Sequence, residues 1–260
     1  MAYNYVIYEK KERIAYVTLN RPEVMNALHL PAHEELWGVW CDFRDDPEVW
    51  VAILTGAGER AFSVGNDLKY QAAHGGEPNP VLIPGGFGGI TNRFDCNKPI
   101  IAAVNGYALG GGFEIALACD IIIAAEHARF GLPEPSVGLA AGAGGVHRLP
   151  RQVPLKVAMG MMLTGRHITA EEAYRIGLVN EIVPLNDLIP CAERWAQEIL
   201  RCAPLAVRAT KEGAMKGLDI PLEVAMNNNY YIWQVMRNSE DFIKGPKAFA
   251  EKRPPQWKGR

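Results

Sequence analysis

Short apolar runs separated by turn residues fill the first two thirds of the chain. Apolar and polar residues alternate in RIAYVTLN (13–20), which predicts a strand, and VWVAILTGAG (49–58) predicts a buried strand that ends in a glycine turn. KPIIAAVNGYAL (98–109) predicts another buried strand, with a turn at Asn105-Gly106. DIIIAAEHARFGLPE (120–134) predicts a strand, a charged turn and a short strand.

Helical spacing of apolar residues predicts three helices before a mostly helical tail: 31–46, 154–165 and 169–177. Thr169 followed by Glu172 fits a capping box, and Gly177 fits the stop signal of the same helix. From Leu185 onward the chain is predicted to be almost all helix. Strands and helices therefore alternate to about residue 180, which indicates an α/β fold, and no linker separates two independent domains.

Composition and charge exclude several classes of function. The 27 basic and 29 acidic residues give a net charge of −2, so there is no general attraction to nucleic acid or to acidic membranes. No stretch of about 18 uncharged apolar residues is present, and charges stand where a signal peptide would need its apolar core. Five cysteines without a CxxC pair predict neither a disulfide framework nor a zinc site. We expect a protein of the cytoplasm.

The stretch GYALGGGFEIALACD (106–120) places three glycines directly before Glu114. If a helix begins near Gly111, its first N–H groups have no partner in the helix and lie at the positive end of the helix dipole. Such a turn suits an oxygen that carries or develops negative charge, although for the glycines alone a simple packing turn is the preferred interpretation, because glycine-rich turns are common. Glu114 follows within an apolar helix, where burial would raise its pKa toward neutrality.

Two further segments bear candidate chemistry. Glu134 lies between Pro133 and Pro135 in an apolar, glycine-rich setting, and by itself it is most simply a loop carboxylate. With Glu114 it makes a pair in which one carboxylate takes a proton from water while the other donates one. Asn66, in SVGNDLK, follows a predicted strand, and its N–H is a candidate second donor. The alternative, which this segment alone does not exclude, is an ordinary turn. Asp67 is predicted to cap the next helix.

Two segments are candidates for shaping a ligand pocket. Residues 74–92 are rich in glycine and proline but also contain apolar side chains, so we interpret them as a mobile loop over a pocket rather than as a linker. The residues from Trp233 to Met236 are expected to join that loop in shaping one end of the ligand pocket.

The chain resembles the crotonase, or enoyl-CoA hydratase/isomerase, superfamily from end to end, and the central block is the most specific part. The carnitinyl-CoA dehydratase branch is similar in PGGFGGIT and in the C-terminal GPKAFAEKRPPQWKGR, with the short-chain hydratases close behind. The matching segments are VTLNRPEVMNAL, AFSVGNDLK, PIIAAVNGYALGGGFEIALACDIIIAAEHARFGLPE, GAGGVHRLP and LTGRHITAEEAYRIGLVNEIV.

The resemblance implies a spiral of ββα turns over residues 1–200 and a helical trimerisation region over residues 201–260. It implies an acyl-CoA thioester as the ligand, with no metal and no separate cofactor because coenzyme A is part of the substrate. Glu114 and Glu134 match the two hydratase glutamates, and the N–H groups of Asn66 and Gly111 match the oxyanion hole. The family more often has a small residue at position 66. Substrate-binding residues carried over in the same way are Ala27, Asn66, Asp67, Leu68, Lys69, Gly111, Pro133 and Leu139.

Three functions stay open from the sequence. The presence of both glutamates favours reversible hydration of a 2-enoyl-CoA to a 3-hydroxyacyl-CoA. Isomerisation or hydrolysis of a thioester on the same site is the second possibility, and an RNA-binding relative without catalysis is the third, which the net charge of −2 disfavours. The resemblance further implies a trimer or a dimer of trimers, with coenzyme A contacted by Phe249 and Lys252 of a neighbouring subunit.

Overall fold

Two sheets contain the ten strands of the computed structural model, which describes residues 3–74 and 84–260. The larger sheet has the strand order β1-β2-β3-β5-β7-β10, and all of its neighbours are parallel except β1 and β2. Its strands are β1 (Val6–Lys11), β2 (Ile14–Leu19), β3 (Val51–Gly56), β5 (Ile100–Val104), β7 (Ile121–Ala125) and β10 (Glu181–Val183). The smaller sheet has the order β4-β6-β8-β9, with strands β4 (Ala61–Ser63), β6 (Tyr107–Leu109), β8 (Arg129–Gly131) and β9 (Ile168–Thr169).

Successive strands pass from one sheet to the other, so the chain winds as a spiral. β3, β5 and β7 lie side by side in the large sheet, and the strand that follows each of them lies in the small sheet. Parallel neighbours need a crossover, and helices between the pairs provide it. This is the ββα spiral that the family resemblance implies.

Eleven helices lie within the described residues. The N-terminal two thirds contain α1 (Leu30–Asp45), α2 (Leu68–Ala73), α3 (Gly111–Ala118), α4 (Gly145–Gln152), α5 (Leu155–Thr164) and α6 (Ala170–Arg175). The remainder is helical, as predicted: α7 (Leu188–Leu200), α8 (Pro204–Gly217), α9 (Leu222–Asn227), α10 (Tyr231–Arg237) and α11 (Glu240–Ala250). No helix in the described part of the chain is long and apolar enough to cross a membrane.

The large sheet is buried on both faces, which explains its continuous apolar strands. In β5 every residue is buried: Ile101 and Ala103 pack toward α7, and their neighbours along the strand pack into the main core on the opposite face. Successive side chains of a strand point to opposite faces of its sheet, as they do here. The main core lies between this sheet, α1 and α3, and it supports the start of α3.

Most of the predicted elements are confirmed, and the capping signals are correct. The Thr169 hydroxyl accepts the Glu172 N–H while the Glu172 carboxylate accepts the Thr169 N–H, which completes the capping box. Asp67 caps α2 by accepting the Tyr70 N–H at 3.0 Å. Proline stands in the first turn of α1, where its missing N–H costs no hydrogen bond.

Several elements differ from the predictions made from the sequence, among them the following three. The segment 98–109 forms two strands in different sheets, because the chain turns at Asn105-Gly106. β1 has no sequence prediction because it is an edge strand on which only Val6 is buried. Helix α4 was not predicted because it begins after glycines and contains Pro150. Of the predicted loop 74–92, residues 75–83 lie outside the described residues.

Candidate active site

The predicted helix start at the three glycines is confirmed. β6 ends at Leu109, Gly110 is the N-cap and α3 begins at Gly111. Within the described ranges the Gly111 N–H donates to no backbone carbonyl. An amide in this position, at the positive end of a helix, is a donor for an oxygen that gains negative charge.

Close packing around this amide requires glycine at two positions. A Cβ atom on Gly111 would lie 2.4 Å from the ring of Phe87, and a Cβ atom on Gly65 would lie 2.7 Å from the Gly111 nitrogen. Gly65 also has a φ of +87°, a conformation that side chains disfavour. The turn that precedes Asn66 therefore lies directly against the first amide of α3, and any larger residue at position 65 would cover that donor.

The Asn66 amide is held in orientation by a parallel bridge to Leu28. The Leu28 N–H donates to the Gly65 carbonyl at 2.8 Å, and the Asp67 N–H donates to the Leu28 carbonyl at 2.9 Å. In such a ladder the groups that flank a residue bond to the partner strand, so the Asn66 N–H points to the side opposite Leu28. The structure thus brings the two predicted donor residues together. The Asn66 side chain donates to the Gln71 carboxamide.

Glu114 is one of the few buried carboxyl groups, with 3% of its surface exposed. Its Oε1 accepts the Gly145 N–H at 2.7 Å. Burial raises the pKa of Glu114 to about 7, and the nearby charge of Glu134 acts in the same direction, whereas the amide of Gly145 and the Arg148 guanidinium lower it. A carboxyl group with a pKa near neutrality is suited to both accepting and donating a proton.

Glu134 reaches the same place from a different element. Gly131 ends β8 and its carbonyl accepts the Gly110 N–H at 3.0 Å, which starts the segment 131–134 beside the N-terminus of α3. The Glu134 Oε1 would lie 3.1 Å from a Cβ atom on Gly110. Burial raises the pKa of Glu134, and its Oε2 is buried without a hydrogen-bond partner in the described residues. That oxygen is the one positioned to serve a water molecule or a ligand.

Arg148 is a further charged residue near the glutamates that sequence reasoning did not select. Its Nη2 donates to the Thr91 carbonyl at 2.7 Å, and its Nη1 would lie 2.2 Å from a Cβ atom on Gly144. The guanidinium lies near Glu114 and stabilises the ionised carboxylate. The signal in the sequence was an arginine in the otherwise uncharged segment that follows Glu134.

The other predicted ligand residues surround this place at different depths. Ala27 is buried and its carbonyl accepts a hydrogen bond from Arg21 at 2.6 Å, while Asp67 is bound to the same guanidinium at 2.9 Å. These two residues fix the turn before α2. Three of the predicted residues have exposed side chains that are available for contact with a ligand: Leu68, Lys69 and Leu139. Pro133 is half-buried.

A cavity of about 270 Å³ lies apart from these residues, between α5 and α6. Its one carboxylate, Glu172, is already held by the capping box and by Arg166. The cavity thus offers no pair of buried acids, and the chemistry is concentrated at the start of α3.

The pKa of Glu114 predicts how stability depends on pH. Because the folded-state pKa of about 7 exceeds the ordinary 4.5, the stabilisation by the neutral carboxyl group is present below pH 4.5 and is lost as the pH rises through 7. We expect Glu114→Gln to stabilise the fold at pH 8 by up to about 3 kcal/mol relative to its effect at pH 4.5. Urea unfolding at both pH values measures this difference, and an equal effect at the two pH values would contradict it.

Comparison with known proteins identifies the relatives of this chain. A family model described as enoyl-CoA hydratase/isomerase matches residues 9–260. A carnitinyl-CoA dehydratase of Salmonella arizonae is 47% identical over 250 residues, which cover 95% of each chain, and an (E)-benzylidenesuccinyl-CoA hydratase of Thauera aromatica is 44% identical over 98% of this chain and 99% of its own. The crystal structure of an enoyl-CoA hydratase from Mycobacterium tuberculosis superposes with a TM-score of 0.91 at 38% identity, covering 98% of this chain and 99% of that one.

Proposed function

The chain belongs to the enoyl-CoA hydratase/isomerase family, and from this premise we propose that it adds water reversibly to a 2-enoyl-CoA to form a 3-hydroxyacyl-CoA. One observation carries the proposal: the buried carboxyl group of Glu114 and the half-buried one of Glu134 come together at the start of a helix whose first N–H donates to no backbone carbonyl in the described residues. Relatives named hydratase or dehydratase support the same reaction.

The thioester oxygen would be held by the N–H groups of Gly111 and Asn66. As water adds to C3, electron density moves through C2 to this oxygen, which becomes enolate-like. Each well-placed donor lowers the barrier by about 3 kcal/mol, because it stabilises the charge that develops. Both donors belong to the backbone, so their position is fixed before the substrate arrives.

The two glutamates would manage the protons of the added water. One carboxylate takes a proton from water as the oxygen bonds to C3, and the other carboxylic acid gives a proton to C2. Together these steps add one molecule of water across the double bond, and the same steps in reverse remove it. Burial raises the pKa of both groups, that of Glu114 to about 7, which supports an exchange of protons by Glu114 near neutral pH.

Dehydration of a carnitinyl-CoA-like substrate is the second candidate, favoured by relatives at 47% identity. It uses the same site in the reverse direction with a cationic acyl group. Purified protein should be assayed with crotonyl-CoA, crotonobetainyl-CoA and (E)-benzylidenesuccinyl-CoA, following the 3-hydroxyacyl product. Hydration of at least one of them is the expected result. Release of free CoA, or migration of the double bond without hydration, would contradict the proposal.

We further propose that residues 201–260 join subunits into a trimer or a dimer of trimers, and that the trimer completes the coenzyme A site through Phe249 and Lys252. Phe249 is 88% exposed, and a protein without a partner rarely leaves so many large apolar side chains in water. Other exposed apolar residues of this region are Met215, Leu218, Leu222, Met226, Tyr231, Phe242 and Ile243.

Light scattering at micromolar protein concentration tests the assembly. A mass of three or six times the 28.6 kDa of one chain is expected. A fully active species with the mass of a single chain would refute the sharing of the site between subunits.

Phe249→Ala is expected to raise the KM for the thioester with little change in kcat, because the residue is proposed to contact coenzyme A rather than the reacting carbons.

We propose that the protein is located in the cytoplasm, because its cysteines are not paired in disulfides. All five are free thiols, and Cys96, Cys119 and Cys191 are buried. Free thiols of this number are typical of a reducing compartment, which supports the cytoplasm.

A further inference from the structure

A short glycine-rich segment, residues 85–89, is wedged between α1 and the helix that carries Glu114. A Cβ atom on Gly88 would lie 2.7 Å from Ile115 of α3, and Gly89 packs equally closely on the backbone of α1 at Trp37. The segment therefore cannot move toward either helix. Its position fixes the side chain at its centre, Phe87.

The Phe87 ring lies against the Cα of Gly111, the residue whose N–H is the proposed oxyanion donor. The hydrogen of Gly111 that a side chain would replace points at the ring, and a Cβ atom there would be 2.4 Å from Cε1 and 2.5 Å from Cζ. A thioester oxygen bound by the Gly111 N–H carries its carbonyl carbon and C2 within two bonds. The ring therefore borders the residue proposed to bind the thioester oxygen, next to which the reacting carbons would lie.

Two side chains of α1 hold the segment by its Gly88 peptide groups. The Gly88 N–H donates to His33 Nδ1 at 2.9 Å, and the Trp40 indole N–H donates to the Gly88 carbonyl at 3.0 Å. The His33 ring also contacts Phe87 edge to face, with ring centroids 4.5 Å apart. Both polar partners of Gly88 and one face of Phe87 are thus supplied by α1.

A histidine at position 33 lowers the stability of the fold, because one of its ring nitrogens is buried without a hydrogen bond to the described residues. This unfavourable choice indicates a role beyond packing. His33 is 2% exposed, and its Nε2 has no hydrogen-bond partner in the described part of the chain. Because Nδ1 accepts a hydrogen bond, the neutral ring must carry its proton on Nε2, so a buried donor is left unpaired. Such a donor typically costs about 1–3 kcal/mol, which a leucine of similar size would avoid.

We propose that Phe87 is the wall of the acyl site next to the oxyanion donor, and that His33 is the positioning residue that holds it there through the Gly88 N–H. The inference rests on the proposed function, since it assigns these residues to the same site. It adds a determinant of substrate choice: the side chain at position 87 limits the room beside C2 of the acyl group.

The preference of Phe87→Leu for branched or unbranched substrates tests whether Phe87 limits the room beside C2. The variant should raise kcat/KM for a C2-methyl-branched 2-enoyl-CoA, relative to the unbranched ester of equal chain length, by about tenfold, because one methyl group in an apolar pocket is worth that much. An unchanged ratio would overturn the assignment of Phe87. If the wild type hydrates neither ester nor any other enoyl-CoA, the proposed function itself fails, which is a distinguishable outcome.

A pair of His33 variants tests the positioning role. His33→Asn keeps an acceptor near the place of Nδ1, whereas His33→Leu removes it at similar size. We expect His33→Leu to lower kcat by about tenfold with little change in KM, and His33→Asn to restore most of the loss. Combining His33→Leu with Phe87→Leu should cost less than the sum of the two, because both act through one ring.

Two controls separate positioning from stability. Phe43→Leu alters a fully buried aromatic of the same helix and should lower stability without changing kcat. Hydrogen exchange at the Gly88 amide does not depend on activity: it should be faster in His33→Leu than in the wild type. Unchanged exchange at Gly88, additive double-variant effects or equal kcat in both His33 variants would overturn the positioning role.

Discussion

Replacing Glu114 with Gln is expected to lower kcat for hydration by about 10²- to 10⁴-fold, the usual cost of losing an acid–base group. The amide keeps the size of the side chain and its oxygen can still accept the Gly145 N–H, so the site should stay folded. Binding of the CoA ester should remain within about threefold of wild type, because the carboxyl group is proposed to act on protons rather than on affinity. Steady-state kinetics and calorimetric titration with the product measure the two quantities.

Glu134→Gln should show the same pattern, since the mechanism needs both carboxyl groups. A matched control is Glu172→Gln, which removes a carboxylate of the same chain but keeps the capping box that glutamine also completes. That control should retain full turnover. Near-wild-type kcat in either active-site variant would exclude a mechanism with two glutamates.

The second large effect is expected at Gly111. Gly111→Ala places a Cβ atom 2.4 Å from the Phe87 ring, so either the ring or the first turn of α3 must shift. Because the Gly111 N–H lies in that turn, loss of its alignment should lower kcat by about 10²- to 10³-fold, the typical cost of one oxyanion donor. Turnover assays with a 2-enoyl-CoA decide the size of the effect.

Two controls accompany this variant. Gly160→Ala introduces the same change in α5, where a Cβ atom has no neighbour within 4 Å, and it should leave turnover unchanged. Asn66→Ala removes a side chain but keeps the backbone donor, so its effect on kcat should be small. If Asn66→Ala is as damaging as Gly111→Ala, the Asn66 carboxamide takes part in catalysis and the purely backbone oxyanion hole is wrong.

The sequence predicts the frame of the site because local signals coincide there. Three glycines before a carboxylate predict the helix start at Gly111 and the buried acid at Glu114, and both are present. Continuous apolar runs predict the buried strands, since strands buried on both faces must be apolar throughout, whereas the spiral arrangement of the strands comes only from the family resemblance. The capping box at Thr169 follows from a three-residue spacing that needs no tertiary information.

What the sequence does not predict depends on contacts across long separations. His33, Phe87 and Gly111 are far apart in the chain, and only the packing of α1 against α3 brings them together. His33 lies in the predicted helix 31–46, and no local motif marks it. Gly65 reads as an ordinary turn until its proximity to the Gly111 nitrogen is known. Arg148 likewise influences Glu114 only through the fold.

Isotope incorporation tests the central claim most directly. A 2-enoyl-CoA accepted by the purified enzyme is converted in water labelled with ¹⁸O and, separately, in D₂O, and the products are examined by mass spectrometry. Hydration predicts one ¹⁸O in the C3 hydroxyl group and one deuterium at C2 of an intact 3-hydroxyacyl-CoA, and far less of this product from Glu114→Gln in the same time. Label in a free carboxylic acid with release of CoA, or a shifted double bond that carries no ¹⁸O, would contradict it.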